Sequence, residues 1–219
     1  MKNPYRWLIY ALGMAVLALG ITLNTKTGLG VSPIISVAYS VSQIFSLNFG
    51  DMTFLLYVLF VVVQLFLRSK MERLATLLQI VVSLIFSRLL NLFDALIPYS
   101  DAEHSLAANM VLLAAAIVLT GLGIAMTVNM RLVPNPGDGI VQAIAEKIGR
   151  DQGFTKNVFD GGCVCATVVV GLICVGKVVG IGIGTVAAMI GVGRAVALAN
   201  HFFKDKMLTA AGFAARGKA

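Results

Sequence analysis

Apolar residues in this chain come in long unbroken runs, not at the spacing of a half-buried helix or strand. Six runs stand out, at about 7–25, 52–67, 74–97, 107–129, 155–176 and 178–203. A helix needs about 20 mostly apolar residues to cross the hydrocarbon core of a bilayer. Each run therefore predicts a transmembrane helix, the second being short enough to sit with little tilt. Only Gly176 and Lys177 separate the last two runs, which predicts a tight helical hairpin there. Two further segments are helical in pattern but too short to span: 33–46, PIISVAYSVSQIFS, and 136–149, PGDGIVQAIAEKIG. Each opens with a proline, which suits a first helical turn. At 1.5 Å per residue each reaches only about 20 Å. Polar residues recur at Ser36, Ser40 and Gln43 in the first, and at Asp138, Gln142 and Glu146 in the second. A short helix with one polar stripe lies at the interface, re-enters the membrane or lines a cavity.

Composition agrees with lipid as the solvent. The 219 residues are 58% apolar and 12% charged, with a mean hydropathy of +0.91. A soluble domain of this length needs more charge to clothe its surface. The expected organisation is one membrane domain over 1–203, in halves of about 7–97 and 107–203, with a basic cytoplasmic tail at 204–219. The net charge of +7 would suggest nucleic acid on a soluble protein. Here it sits in short connectors beside the spans, so the expected partner is the bilayer and not nucleic acid. Lys2 and Arg6 precede the first run as in a signal peptide, but no small-residue cleavage site follows, and a first transmembrane helix is expected.

With the N-terminus inside, the inner segments carry Lys2, Arg6, Arg68, Lys70, Arg73, Arg131, Lys147, Arg150, Lys156, Lys204, Lys206, Arg216 and Lys218. The outer ones carry only Lys26 and Lys177. That asymmetry predicts both termini in the cytoplasm and an even number of spans.

The two halves resemble each other. A shift of 103 residues lays Gly20-Ile21 on Gly123-Ile124, Leu29 on Leu132, Pro33 on Pro136 and Gly50 on Gly153. It also lays Asn24 on Thr127 and Ser32 on Asn135. A shift of 106 lays Arg88 on Arg194 and Asp94 on Asn200. Each half reads span, Gly/Pro loop, short helix, span, span. Three spans is an odd number, so the second half enters the membrane the opposite way. The expected fold is therefore an all-α integral membrane protein of six transmembrane helices and two short non-spanning ones, in an inverted 3+3 repeat. Many secondary transporters are built so, with the binding site at Gly/Pro-interrupted segments in matching positions.

The stretch TKTGLGVSP at 25–33, the PGDGI box at 136–140 and IGIGT at 181–185 resemble the YczE/YyaS/YitT type of bacterial membrane protein. The resemblance covers about residues 7–203. It implies a multi-pass protein of the bacterial cytoplasmic membrane, and it carries no catalytic residues over to this chain.

Arg88 and Arg194 lie well inside apolar runs, toward the outer and inner sides respectively. An arginine at depth costs at least about 2.5–3.5 kcal/mol on insertion scales. Either each snorkels or pairs with Asp94 or Asp160, or the two flank a central anion or carboxylate site. The loops at Gly28, Gly30, Ser32 and Pro33, and at Asn135, Pro136, Gly137, Asp138 and Gly139, each lead into a short helix whose free N–H groups attract anions. Asp138 also suits an N-terminal cap. Asp160 reads as a proton or cation ligand, or as the partner of Lys156 one turn away. Cys163, Cys165 and Cys174 share one apolar run and read as filler.

Gly180, Gly182 and Gly184 follow no strand, so a nucleotide loop is a poor reading. The spacings Gly176/Gly180/Gly184, Gly180/Gly184/Ala188 and Ala187/Gly191/Ala195 suit close helix contact. The chain shows no enzyme, metal or cofactor motif; His104 and His201 sit far from any partner. The expected function is a small secondary transporter or permease for an anionic or carboxylate-bearing solute, acting alone, as a homodimer or with a partner subunit. The alternatives are a non-catalytic scaffold or subunit of a larger transport or biosynthetic complex, and a membrane enzyme acting on lipid or isoprenoid.

Overall fold

The computed structural model describes residues 4–213. Among them the chain is helical throughout: α1 (Pro4–Lys26), α2 (Pro33–Ile44), α3 (Phe49–Leu67), α4 (Arg73–Leu96), α5 (Leu106–Asn129), α6 (Pro136–Ile148), α7 (Gln152–Val175) and α8 (Ile183–Ala210), with a 3-10 turn at Asp101–Glu103. Six of these helices, α1, α3, α4, α5, α7 and α8, are long and apolar enough to cross a membrane. The other two, α2 and α6, have 12 and 13 residues.

The interior is unusually polar and the exterior unusually apolar. Thr22, Ser36, Ser40, Thr53, Gln64, Ser83, Ser87 and Thr167 are fully buried, while Phe66, Leu74, Val111 and Ile173 are more than two-thirds exposed. That is the arrangement lipid demands. Hydrocarbon gives no hydrophobic drive between helices, so close packing and internal hydrogen bonds hold the bundle together.

At the centre α1 and α5 run antiparallel in close contact. Arg6 of α1 donates to the carbonyls of Met130 and Arg131 after the end of α5, both at 2.8 Å. Further along, Gly13 meets Thr127, and Gly20 meets Thr120. α4 flanks α1, and α8 flanks α5. The short helices exchange halves: α2 packs on α7 of the second half, and α6 on α3 of the first.

The expected hairpin between the last two spans is looser than two residues. The link runs from Gly176 to Gly182, and α8 starts at Ile183. Gly176 and Gly180 take positive φ, at 69° and 81°, a backbone state that only glycine adopts without strain. The link folds over the first Gly/Pro loop. There the N–H of Val31 donates to Gly180 O at 2.9 Å, and the N–H of Gly184 donates to Leu29 O at 2.7 Å. Gly176 and Gly180 therefore form no helix face with Gly184; Gly182 and Gly184 instead let two main chains touch at Leu29. Further along α8, Gly191 packs on Ile117 and Ala195 packs on Gly121 of α5, a close helix contact as the spacing predicts.

At the other end α8 continues through Lys204, Asp205 and Lys206, where the expected tail begins, to Ala210. No residue there breaks a helix. The rest of that tail, 214–219, and Lys2 lie outside the described residues. Phe213 lies under the guanidinium groups of Arg6 and Arg131, at 5.1 and 5.4 Å to the ring centre. Both ends of the described chain thus meet at one face, together with the end of α5. Lys26, Asp94 and Asp101 mark the opposite face, where Lys26 and Asp94 pair at 2.7 Å.

Candidate functional site

The two short helices begin at the same place. Pro33 opens α2 after Ser32, and Pro136 opens α6 after Asn135. Their first turns border a cavity of about 50 Å³ at mid-depth, beside Leu17 and Ile21 of α1 and Thr120 and Ile124 of α5. Its polar lining is Ser32, Asn135, Asp138, Tyr57, Thr120, Lys156 and Asp160. This volume admits a few water molecules and no metabolite, so binding a solute requires the lining to move.

The electrostatics centre on three charged groups. Asp160 is buried, with its side chain only 3% exposed, and Lys156 reaches it one turn away at 3.0 Å. Asp138 sits in the first turn of α6, where the Asn135 side chain caps the helix by accepting from the Gly137 N–H at 2.9 Å. The cap predicted at Asp138 is thus held by Asn135. α6 is not one of the spanning segments, and burial there raises the Asp138 carboxyl above its ordinary value. The nearby Lys156 charge opposes that shift and the Asp160 charge adds to it.

Two wider recesses lie on either side. One, of about 380 Å³, opens at the face bearing Arg131, and Asn135 and Asp138 line both it and the central cavity. The other, of about 150 Å³, opens at the opposite face, bordered by Gly28, Gly30, Tyr39 and Gly180. It shares no lining residue with the central cavity. The Val31–Gly180 and Leu29–Gly184 backbone bonds lie between them. Gly30, at φ 100°, has its Cα against Thr185 and Gly182, so any side chain there would force this seam apart.

Of the residues singled out by the sequence, Ser32, Pro33, Asn135, Gly137, Asp138 and Asp160 line the cavity. Gly28 and Gly30 border the opposite recess. Pro136 and Gly139 face a buried amide pair, in which Gln64 and Gln79 exchange two hydrogen bonds of 3.0 Å. Gln64 also approaches the Pro136 carbonyl at 3.5 Å, and Gly139 packs directly on both amides. In the other half Ser36 and Thr167 hold α2 to α7 in the same way, at 2.6 Å.

The two arginines are not brought to the cavity. Arg88 lies on the surface and pairs with Asp51 at 3.1 Å, not with Asp94. Arg194 is exposed on α8 beside an apolar groove. Both helices turn these positions outward, which a count of residues along a helix does not reveal. The cation that does reach the cavity is Lys156, read from the sequence only as a partner for Asp160. The Gln64–Gln79 pair went unread, although two amides inside apolar runs were its signal.

The 153 residues that match the uncharacterized membrane protein YczE of Bacillus subtilis (strain 168) are 26% identical to it, covering 69% of this chain and 68% of that one. The uncharacterized protein YyaS of the same strain is 24% identical over 153 residues, or 70% of this chain and 75% of its own. No solved structure matches. The model of a family of unknown function, DUF6198, matches residues 4–201. The chain is a multi-pass membrane protein and belongs to the DUF6198 family.

Proposed function

We propose that the protein is a small secondary transporter for a carboxylate-bearing solute, with its site at the central cavity. One observation carries this reading: the first turns of two short helices, one from each half, meet at mid-depth around Lys156, Asp138 and Asp160. Broken or short helices that point their N-termini at a midplane site are the usual anion-binding device of such folds. The first turn of α2 holds no acid, so its free N–H groups and the Lys156 ammonium are the partners for a carboxylate. Asp138 is the group for a coupling proton or cation. The exchanged packing of α2 and α6 supports an inverted repeat, and the clustering of Arg6 and Arg131 with the chain ends supports a cytoplasmic location for that face. The cavity then adjoins the cytoplasmic recess and is closed from the outside by the Val31–Gly180 seam. Transport would rock one half against the other and break that seam. No catalytic role is proposed for any residue.

The test is ligand-dependent thermal stabilisation of the purified protein against monocarboxylates, dicarboxylates, amino acids and phosphate. A solute that binds only the folded state raises the melting temperature by mass action. A carboxylate hit that is lost in Lys156→Gln and kept in Arg88→Gln supports the site. A hit insensitive to Lys156, or no stabilisation by any of these solutes, overturns it.

A further inference from the structure

Arg88 and Arg194 occupy matching places in the sequences of the two halves, yet of the two only Arg88 forms an ion pair among the described residues. Arg88 pairs with Asp51. The position that matches Asp51 under the 103-residue shift is Phe154, so the second half has no such acid. No ion pair reaches Arg194 among the described residues. Its side chain lies at a groove of about 470 Å³ between α5 and α8, whose other walls are Ile117, Val118, Leu122, Leu198, Phe202 and Phe203.

Depth sharpens the problem. α8 starts at Ile183 and, Arg194 apart, carries no Lys, Arg, Asp or Glu before Lys204. Arg194 lies midway, about 15 Å along the helix from either point. That is half the thickness of the hydrocarbon core, about 30 Å. A guanidinium there is beyond easy snorkelling and far from lipid phosphates. Charged groups at such depth face a protein or water partner.

We infer that the α5–α8 groove is a docking surface for a transmembrane helix of another polypeptide, one that carries a carboxylate at mid-bilayer depth to pair with Arg194. Charge complementarity selects the occupant. A second copy of this chain does not supply an acid at that depth: Asp51, Asp94 and Asp160 are already paired, Asp138 lines the central cavity and the recess beside it, and Glu72, Asp101, Glu103, Glu146, Asp151 and Asp205 lie at or near helix ends or in the 3-10 turn. Two copies related by a two-fold axis at this groove would bring their Arg194 side chains together. The long apolar walls, Ile117, Val118 and Leu122 on α5 and Leu198, Phe202 and Phe203 on α8, suit the apolar face of a helix, and Gly191 and Ala195 keep the floor between them shallow.

The full chain, donor-labelled and reconstituted in phosphatidylcholine vesicles, tests this against an acceptor-labelled Leu/Ala transmembrane peptide with one central Glu. The same peptide with Gln is the control. Energy transfer should half-saturate at about tenfold or more lower Glu-peptide than Gln-peptide. Arg194→Leu should erase the difference, and Arg194→Lys should keep part of it. The Leu variant removes a cation from an apolar surface, so it should unfold at no lower temperature than wild type, which separates lost docking from lost folding. Equal association of the two peptides with wild type overturns the inference. So does a Glu preference that survives in Arg194→Leu. Arg194-dependent self-association of the chain would instead assign the groove to a second copy. Loss of the Glu preference on adding phosphatidylglycerol would assign it to anionic lipid.

Discussion

Gly20 of α1 and Gly123 of α5 hold matching positions on an antiparallel pair, and each leaves room for the other helix. Gly20 packs on Thr120, and Gly123 packs on Leu17. Leu17 and Thr120 are themselves related by the 103-residue shift that relates the glycines. The contact is therefore reciprocal and lies beside the central cavity, which Leu17 and Thr120 also line.

A side chain at either glycine should split that pair. Gly123→Leu forces a large group into the α5–α1 contact and should cost at least about 1–3 kcal/mol by overpacking. Gly161 of α7 is the control, since a methyl there meets nothing within 4 Å. Gly161→Ala should stabilise the helix by about 0.5–1 kcal/mol. Thermal unfolding in detergent should move in opposite directions for the two variants. A Gly123→Leu protein as stable as wild type would show that the helices do not approach here.

Replacing one member of the amide pair should hurt more than replacing both. Gln64→Leu leaves the buried Gln79 amide without its partner, a loss of about 1–3 kcal/mol. In Gln64→Leu/Gln79→Leu no amide is left unsatisfied, and stability should recover toward wild type. Additive losses in the double-mutant cycle would argue that the two amides act independently.

Lys156→Gln should strand the buried Asp160 carboxylate and cost about 3–5 kcal/mol. Adding Asp160→Asn should restore most of that stability. Under the proposed function it should not restore carboxylate-dependent stabilisation, because the cation remains absent. Recovery of ligand binding in the double variant would remove Lys156 from the site.

Asp138 gives a pH dependence of definite sign. Its folded carboxyl titrates above the ordinary value because of burial, so the folded state binds the proton more tightly than the unfolded chain. The stability this confers is fully present below about pH 4, the unfolded value, and is lost as pH rises through the raised folded value. Asp138→Asn removes that loss. The variant should be more stable than wild type at neutral pH, with the gap closing on acidification. A gap independent of pH would mean that the carboxyl is not perturbed.

The proposed orientation has its own check. In a protein whose Cys163, Cys165 and Cys174 are replaced by alanine, Ser100→Cys should react with a membrane-impermeant maleimide on intact cells. Ser69→Cys should react only after permeabilisation. The reverse pattern would invert the topology.

Much of this fold can be read before any coordinates, for a physical reason. Lipid makes apolar length decisive, so each of the six runs becomes a helix. Pro33 and Pro136 mark the starts of α2 and α6 because proline fits a first turn. Asp138 stood out because it opens a short helix after a Gly/Pro loop, and Asp160 because it lies in an apolar run one turn from Lys156. The start of α8 was hidden, because the link from Gly176 to Gly182 is apolar but for Lys177, and the break rests on the positive φ of Gly176 and Gly180 and on backbone bonds to Leu29 and Val31. The outward turn of Arg194 was hidden for a different reason: on α8 few polar side chains mark which face meets lipid. That of Arg88 was not hidden. α4 does carry a polar stripe, Thr76, Gln79, Ser83 and Ser87, which is buried and leaves Arg88 off the inward face, a signal that went unread.

The seam between the first Gly/Pro loop and the start of α8 is made by peptide groups alone: Val31 on Gly180 and Gly184 on Leu29. None of these groups titrates, and a substitution breaks them by adding bulk, as a side chain at Gly30, Gly182 or Gly184 would. That latch therefore has no direct dependence on pH of its own. Under the proposed function, sensing of proton or solute enters from the Asp138 side and reaches the latch as movement of the helices between them.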